Sequence, residues 1–282
     1  MNNWRKTRWP RWGRVDRNLK ARFATAAVGL PLLGWLVGWG APWLFSLTFF
    51  VLTVAALQEY FAMIWPGDPG RQWRGILFGS AVGLTVMLIP TTASALCLSV
   101  LLLLLFASTL WSGGSLAERF NRLGWTLLGG LYIGFLVPHL ALLFQLKDGR
   151  GWVAFVFVVI MAGDSSAYFI GKHFGKRKLA PELSPSKTVE GAIAYLIGSV
   201  VIGVLAMTVL SLPVGMFEIV LLSLVLSVLG QVGDLFESLI KRAFAVKDSG
   251  ELLPGHGGVL DRLDSLIFPV VFATFYLKVI HP

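Results

Sequence analysis

The chain has 282 residues, 56% of them hydrophobic and 14% charged, with a formal net charge of +9 and a mean hydropathy of +0.74. Repeated apolar runs of span length in such a composition exclude a soluble globular core and indicate an all-α, polytopic integral membrane protein. One cysteine, Cys97, inside an apolar run excludes an intramolecular disulfide and a cysteine metal site.

The first 22 residues carry eight Lys or Arg against one acid, interleaved with Trp4, Trp9 and Trp12. With an apolar span directly behind it, this basic tail (1–22) is expected to lie on anionic lipid headgroups of the bilayer, with no nucleic-acid partner. No clean small-residue cleavage site follows, so the tail is expected to be retained.

Apolar runs predict nine transmembrane helices, at about 23–40, 42–65, 75–90, 93–112, 124–146, 151–171, 190–211, 214–240 and 263–280. With the N-terminus cytoplasmic, 21 of the 24 Lys and Arg fall inside, and only Lys147, Arg150 and Lys278 fall outside. The chain divides into N-terminal membrane helices (23–146) and C-terminal membrane helices (147–282). The two longest polar loops, about 172–189 and 241–262, then share the cytoplasmic face.

An ionisable side chain inside a span is costly enough to be a functional candidate by default. In the sixth span Asp164 and Tyr168 share one helix face, with Gly171 a turn on. In the eighth, Gln231, Asp234, Ser238 and Lys241 form a polar stripe bordered by Glu237 and Arg242. Asp261 and Asp264 open the last span, with Arg262 between them as a cation for one of the two. Carboxylates converging from several helices make a hard-oxygen site suited to Mg²⁺ and poor for zinc. Spacing leaves open which of them would bind metal. His139 and His281 read as structural or interfacial, while His173 and His256 lie in the polar loops.

The segment Gly171–Gly191, "GKHFGKRKLAPELSPSKTVEG", joins Lys172, Lys176, Arg177, Lys178 and Lys187 to the hydroxyls of Ser184, Ser186 and Thr188 just before a span. Cations, hydroxyls and a helix N-terminus are the parts of a polyphosphate site, although the spacing is not that of a P-loop. Acids for Mg²⁺ and cations for phosphates at a cytoplasmic membrane surface point to phosphoryl or nucleotidyl transfer to a lipid.

The stretch Ser238–Ser265, "SLIKRAFAVKDSGELLPGHGGVLDRLDS", closely resembles the signature of the phosphatidate cytidylyltransferase (CDP-diacylglycerol synthase) family. Its Ser-x-x-Lys-Arg, Lys-Asp and His-Gly-Gly-x-x-Asp-Arg-x-Asp elements fall on Ser238, Lys241, Arg242, Lys247, Asp248, His256, Gly257, Gly258, Asp261, Arg262 and Asp264. "GDSSAYFIGKHFGK" and "LSPSKTVEG" resemble a second motif of that family. The resemblance implies transfer of CMP from CTP to phosphatidic acid, with Mg²⁺, alone or with a second cation, as cofactor. It implies Asp234 and Asp261 as metal ligands, with Asp164 and Asp264 behind them. Ser184, Lys187 and Thr188 would hold CTP phosphates, and Gly255, Gly257 and Gly258 would let backbone approach them. Lys241 and Arg242, beside Ser238, would meet the phosphatidate phosphate.

The expected location is a bacterial inner (plasma) membrane with the active site on the cytoplasmic side, and the expected assembly extends to a homodimer. A CTP-dependent polyprenol-type lipid kinase and an ion-coupled transporter are the alternatives.

Overall fold

The computed structural model describes residues 15–89, 91–252 and 257–281, with side chains at 27–89, 93–252 and 257–281. The tail tryptophans, together with Gly255 and His256, lie outside the described residues. The chain runs through α1 (Val15–Gly38), α2 (Pro42–Ile64), α3 (Pro69–Leu88), α4 (Thr91–Leu110), α5 (Leu116–Gly129), a π-helical turn (Gly130–Phe135), α6 (His139–Gln145) and α7 (Gly149–Phe174). A hairpin of β1 (Lys178–Ala180) and β2 (Ser184–Thr188) follows, then α8 (Val189–Val209), α9 (Met216–Ala243) and α10 (Leu260–Ile280).

Every predicted span falls on helix, and the architecture is all-α and polytopic. Among the described residues seven helical segments are long and apolar enough to cross a membrane: α2, α4, the run from α5 through α6, and α7 to α10. α1 contributes a shorter described apolar stretch, Ala27–Gly38. α3 spends its first turns on Arg71, Gln72 and Arg74. The fifth predicted span is not one regular helix: the ladder widens into the π turn at Gly130 and restarts after Pro138.

Helix starts follow local chemistry. Pro42 and Pro69 stand in the first turns of α2 and α3, Asp68 accepts from Arg71 N, and Ser115 with Glu118 closes a capping box on α5. Thr188 caps α8 by accepting from Gly191 N at 3.1 Å.

The core lies where α2, the π turn, α6, α7, α9 and α10 meet, with Phe45 stacked on Phe144 at 3.9 Å and Tyr132 edge-on to Phe236. α7 packs mainly on α8, and α9 on α10. At Gly233 α9 comes so near α10 that a Cβ would collide with the Asp264 carbonyl oxygen, so only glycine permits the approach. α4 presents its apolar side chains outward and buries none of its membrane-length window. The hairpin, antiparallel with Lys178 opposite Thr188 and Ala180 opposite Ser184, hangs between α7 and α8 at the helix ends that carry the polar residues.

Candidate active site

Four elements deliver charged groups to one end of the bundle. β2 brings Lys187, α7 brings Asp164, α9 brings Asp234, Glu237 and Lys241, and α10 brings Asp261 and Asp264. Lys187 Nζ is 2.6 Å from Asp234 Oδ2. One turn along α9, the fully buried Glu237 pairs with Lys241, whose Nζ is also 2.6 Å from Asp261 Oδ1. The polar stripe read from the sequence is therefore an ion-paired seam between α9, the hairpin and α10.

Asp261 is held on both oxygens. Oδ1 takes Lys241, and Oδ2 accepts from Ser249 N at 3.0 Å and Gly258 N at 2.8 Å. The cation that neutralises it is Lys241 and not Arg262, because successive helical residues point about 100° apart, and Asp261 meets α9 while Arg262 is exposed. Asp264 is buried, with Oδ1 accepting from Ser265 N at 2.7 Å. Asp164 accepts from Ser265 Oγ at 3.5 Å, and the buried Tyr195 hydroxyl lies beside it.

The remaining expected residues have definite local duties. Thr188 Oγ1 caps α8, Ser184 Oγ lies 3.4 Å from Ser186 Oγ, and Glu190 accepts from Lys176 N and Arg177 N at the hairpin's base. Arg242 is turned toward backbone, donating to Leu183 O at 3.2 Å and Val246 O at 2.7 Å, while Ser238 is buried in α9. Gly257 has a left-handed φ of +80°, and Gly258 leaves no room for a Cβ against Ser249 Oγ and Glu59 Oε2. His139 sits in the core with Nδ1 at 2.9 Å from Phe135 O, as a structural histidine should. His173 binds Phe169 O, and His281 meets Glu218.

Among the described residues no three His, Cys, Asp or Glu side chains close into a metal-binding cluster. The charge balance nonetheless fits a hard cation. Asp164, Asp234, Glu237, Asp261 and Asp264 supply five carboxylates, against the ammonium groups of Lys187 and Lys241. The charges of Asp164, Asp234 and Asp264 act on one another, and the buried Tyr132 hydroxyl lacks a hydrogen-bond partner. Of these only Asp264 is buried without a cation of its own, and oxygen donors in this excess over ammonium groups suit Mg²⁺.

Sequence reading missed Glu59. It lies in α2, almost fully buried, and accepts from Val259 N at 2.9 Å, Leu260 N at 2.9 Å and Ser249 Oγ at 3.1 Å. A lone acid in the apolar run "VLTVAALQEYFAMI" was the available signal.

Residues 20–280 match the model of the cytidylyltransferase family. A Bacillus subtilis protein named phosphatidate cytidylyltransferase is 43% identical over 159 residues, 56% of this chain and 59% of that protein. One of the same name from Staphylococcus saprophyticus is 36% identical over 194 residues, 67% of this chain and 74% of its own. A Brucella abortus one is 45% identical over 145 residues, 51% of this chain and 53% of its own. The alignments to the Bacillus and Brucella proteins thus span little more than half of those relatives. Since the family match runs from α1 to the last turn of α10 and takes in every charged group of the seam, the chain belongs to the cytidylyltransferase family.

Proposed function

We propose that the chain transfers CMP from CTP to phosphatidic acid, releasing CDP-diacylglycerol and pyrophosphate. The observation that carries this reading is the ion-paired seam of Lys187, Asp234, Glu237, Lys241 and Asp261 at one end of the bundle, in a chain whose relatives are named phosphatidate cytidylyltransferase. In that reaction a phosphate oxygen of the lipid attacks the α-phosphorus of CTP as the bond to the bridging oxygen breaks, and that oxygen leaves with pyrophosphate. No covalent intermediate on the protein is needed, and the barrier is mainly charge repulsion and positioning.

Lys187 and Lys241 are the cations of the scheme. Each is held by carboxylates and would turn to phosphate oxygens when substrates arrive. Lys187 with Ser184, Thr188, Gly257 and Gly258 is assigned to CTP, and Lys241 with Arg242 and Ser238 to the phosphatidate phosphate. Asp234 and Asp261, with Asp164 and Asp264 beside them, are the donors for Mg²⁺, which when bound would neutralise phosphate charge. The positive-inside distribution of Lys and Arg supports an active site on the cytoplasmic side of a bacterial inner membrane.

The test is direct. Purified protein in detergent, given Mg²⁺, CTP and phosphatidic acid, should yield a CDP-lipid and pyrophosphate in equal amounts. Formation of a polyprenol phosphate and CDP, with no CDP-lipid, would overturn the reading.

A further inference from the structure

Glu59 and Asp261 hold the same loop. Ser249 gives its backbone N–H to Asp261 and its hydroxyl to Glu59. Across the loop, Gly258 N goes to Asp261, while the next two N–H groups, of Val259 and Leu260, go to Glu59. Between them the two carboxylates take six donors, Lys241 included. The start of α10 is thereby fixed by an acid from α2, with negative charge at the positive end of the helix.

The loop glycines fit this arrangement. A Cβ at Gly250 would come within 2.6 Å of Glu59 Oε1, and one at Gly258 within 2.5 Å of Glu59 Oε2. Both are small because a buried carboxylate fills the space beside them, a demand of the fold that exists without any phosphate present.

We infer that Glu59 is a positioning residue for the cytidylyl transfer proposed above: by holding Ser249, Val259 and Leu260 it sets the orientation of Asp261 and, through it, of Lys241. The inference rests on that reading for its kinetic consequence. Its geometric content, that α2 orders the loop, does not. Glu59→Gln keeps the size of the side chain but replaces an oxygen acceptor by an N–H₂ donor, set against N–H groups. The loop should loosen while the helices stay packed.

Two measurements decide it in the full-length protein. Glu59→Gln should lower kcat for CDP-lipid formation about tenfold to a hundredfold, the scale of an ångström-sized misplacement. KM for CTP should change less than kcat, since Ser184, Lys187 and Thr188, which are also assigned to CTP, stand on the hairpin outside this loop. A nitroxide attached through Glu251→Cys in a Cys97→Ala background should become more mobile when Glu59→Gln is added. Gly250→Ala, which pushes the loop off the Glu59 carboxylate without changing the sequence of α2, should reproduce both effects, and it serves should Glu59→Gln fail to fold. A kcat within about threefold of wild type overturns the positioning role. An unchanged nitroxide line shape overturns the clamp itself. If wild type makes no CDP-lipid, the functional reading fails while the nitroxide arm still decides whether Glu59 orders the loop.

Discussion

Lys187 Nζ and Asp234 Oδ2, 2.6 Å apart, fasten the hairpin after α7 to the acidic face of α9. Both side chains keep some contact with solvent, at 24% and 32% exposure, so the pair is a latch that a ligand can reach rather than a sealed part of the core. An exposed pair of this kind contributes about 0–1 kcal/mol to stability, so its value lies in where it holds the ammonium group.

Lys187→Met should therefore leave folding nearly untouched and weaken nucleotide binding. The expected result is a KM for CTP raised by about tenfold or more, the equivalent of one lost charge-assisted contact, with a melting temperature close to wild type. Steady-state CDP-lipid formation and a thermal unfolding curve in the same detergent check both parts.

Lys241→Met should behave differently, because Lys241 is buried between Glu237 and Asp261. Removing it leaves two buried carboxylates facing each other. Breaking such a pair costs about 3–5 kcal/mol, so a lower yield of monodisperse protein and a clearly lower melting temperature are expected. The double variant Lys241→Met, Glu237→Leu should recover part of that stability without recovering turnover.

At Gly233 the approach of α9 to α10 is set by the absence of a side chain. Gly233→Ala forces the helices apart at the Asp264 carbonyl, an overpacking cost of about 1–3 kcal/mol. It should also lower turnover, by separating Asp234 from Asp264. Gly124→Ala, where nothing outside its own stretch of helix lies within 4 Å of the added Cβ, is the control: it should melt no lower than wild type and match its activity.

The excess of carboxylates over ammonium groups predicts that a divalent cation stabilises the protein even without substrate. Mg²⁺ at about a hundred times its Kd adds about 2.7 kcal/mol to the folded state, read as a raised melting temperature that EDTA reverses. Substituting Asp234→Asn should shrink the shift, and CDP-lipid formation should stop on chelation and return with Mg²⁺.

The helices were legible because a membrane helix must be apolar along its whole length, a local property that any window of the sequence reports. Their ends were less so. α3 begins at Pro69, six residues before the predicted start, and the described part of α1 already reaches back to Val15, because polar residues continue a helix beyond its apolar part at no local cost. The hairpin at 178–188 escaped notice because "LAPELSPSKT" lacks the alternation of a strand, and its pairing is fixed by chain ends that α7 and α8 bring together.

At the site, the spacing of Asp234, Ser238 and Lys241 announced a face of α9, and the family motif announced Asp261 and Asp264. Which acid meets which cation was not legible. Asp261 is 20 residues from Lys241, Asp234 is 47 from Lys187, and no periodicity carries that information. Glu59 is the extreme case, an acid whose partners stand 190 to 201 residues away.

That distance has a meaning for biogenesis. A chain made at about 5–20 residues per second needs on the order of 10 to 40 s to pass from Glu59 to Leu260. During that interval α2 enters the membrane carrying a carboxylate whose N–H partners have not been synthesised. Any translocation machinery that accepts α2 must tolerate the acid in water, in the headgroup region or against itself until α10 arrives. The step that completes the seam is thus the synthesis of α10, and a ribosome stalled before it leaves α2 with an unsheltered acid.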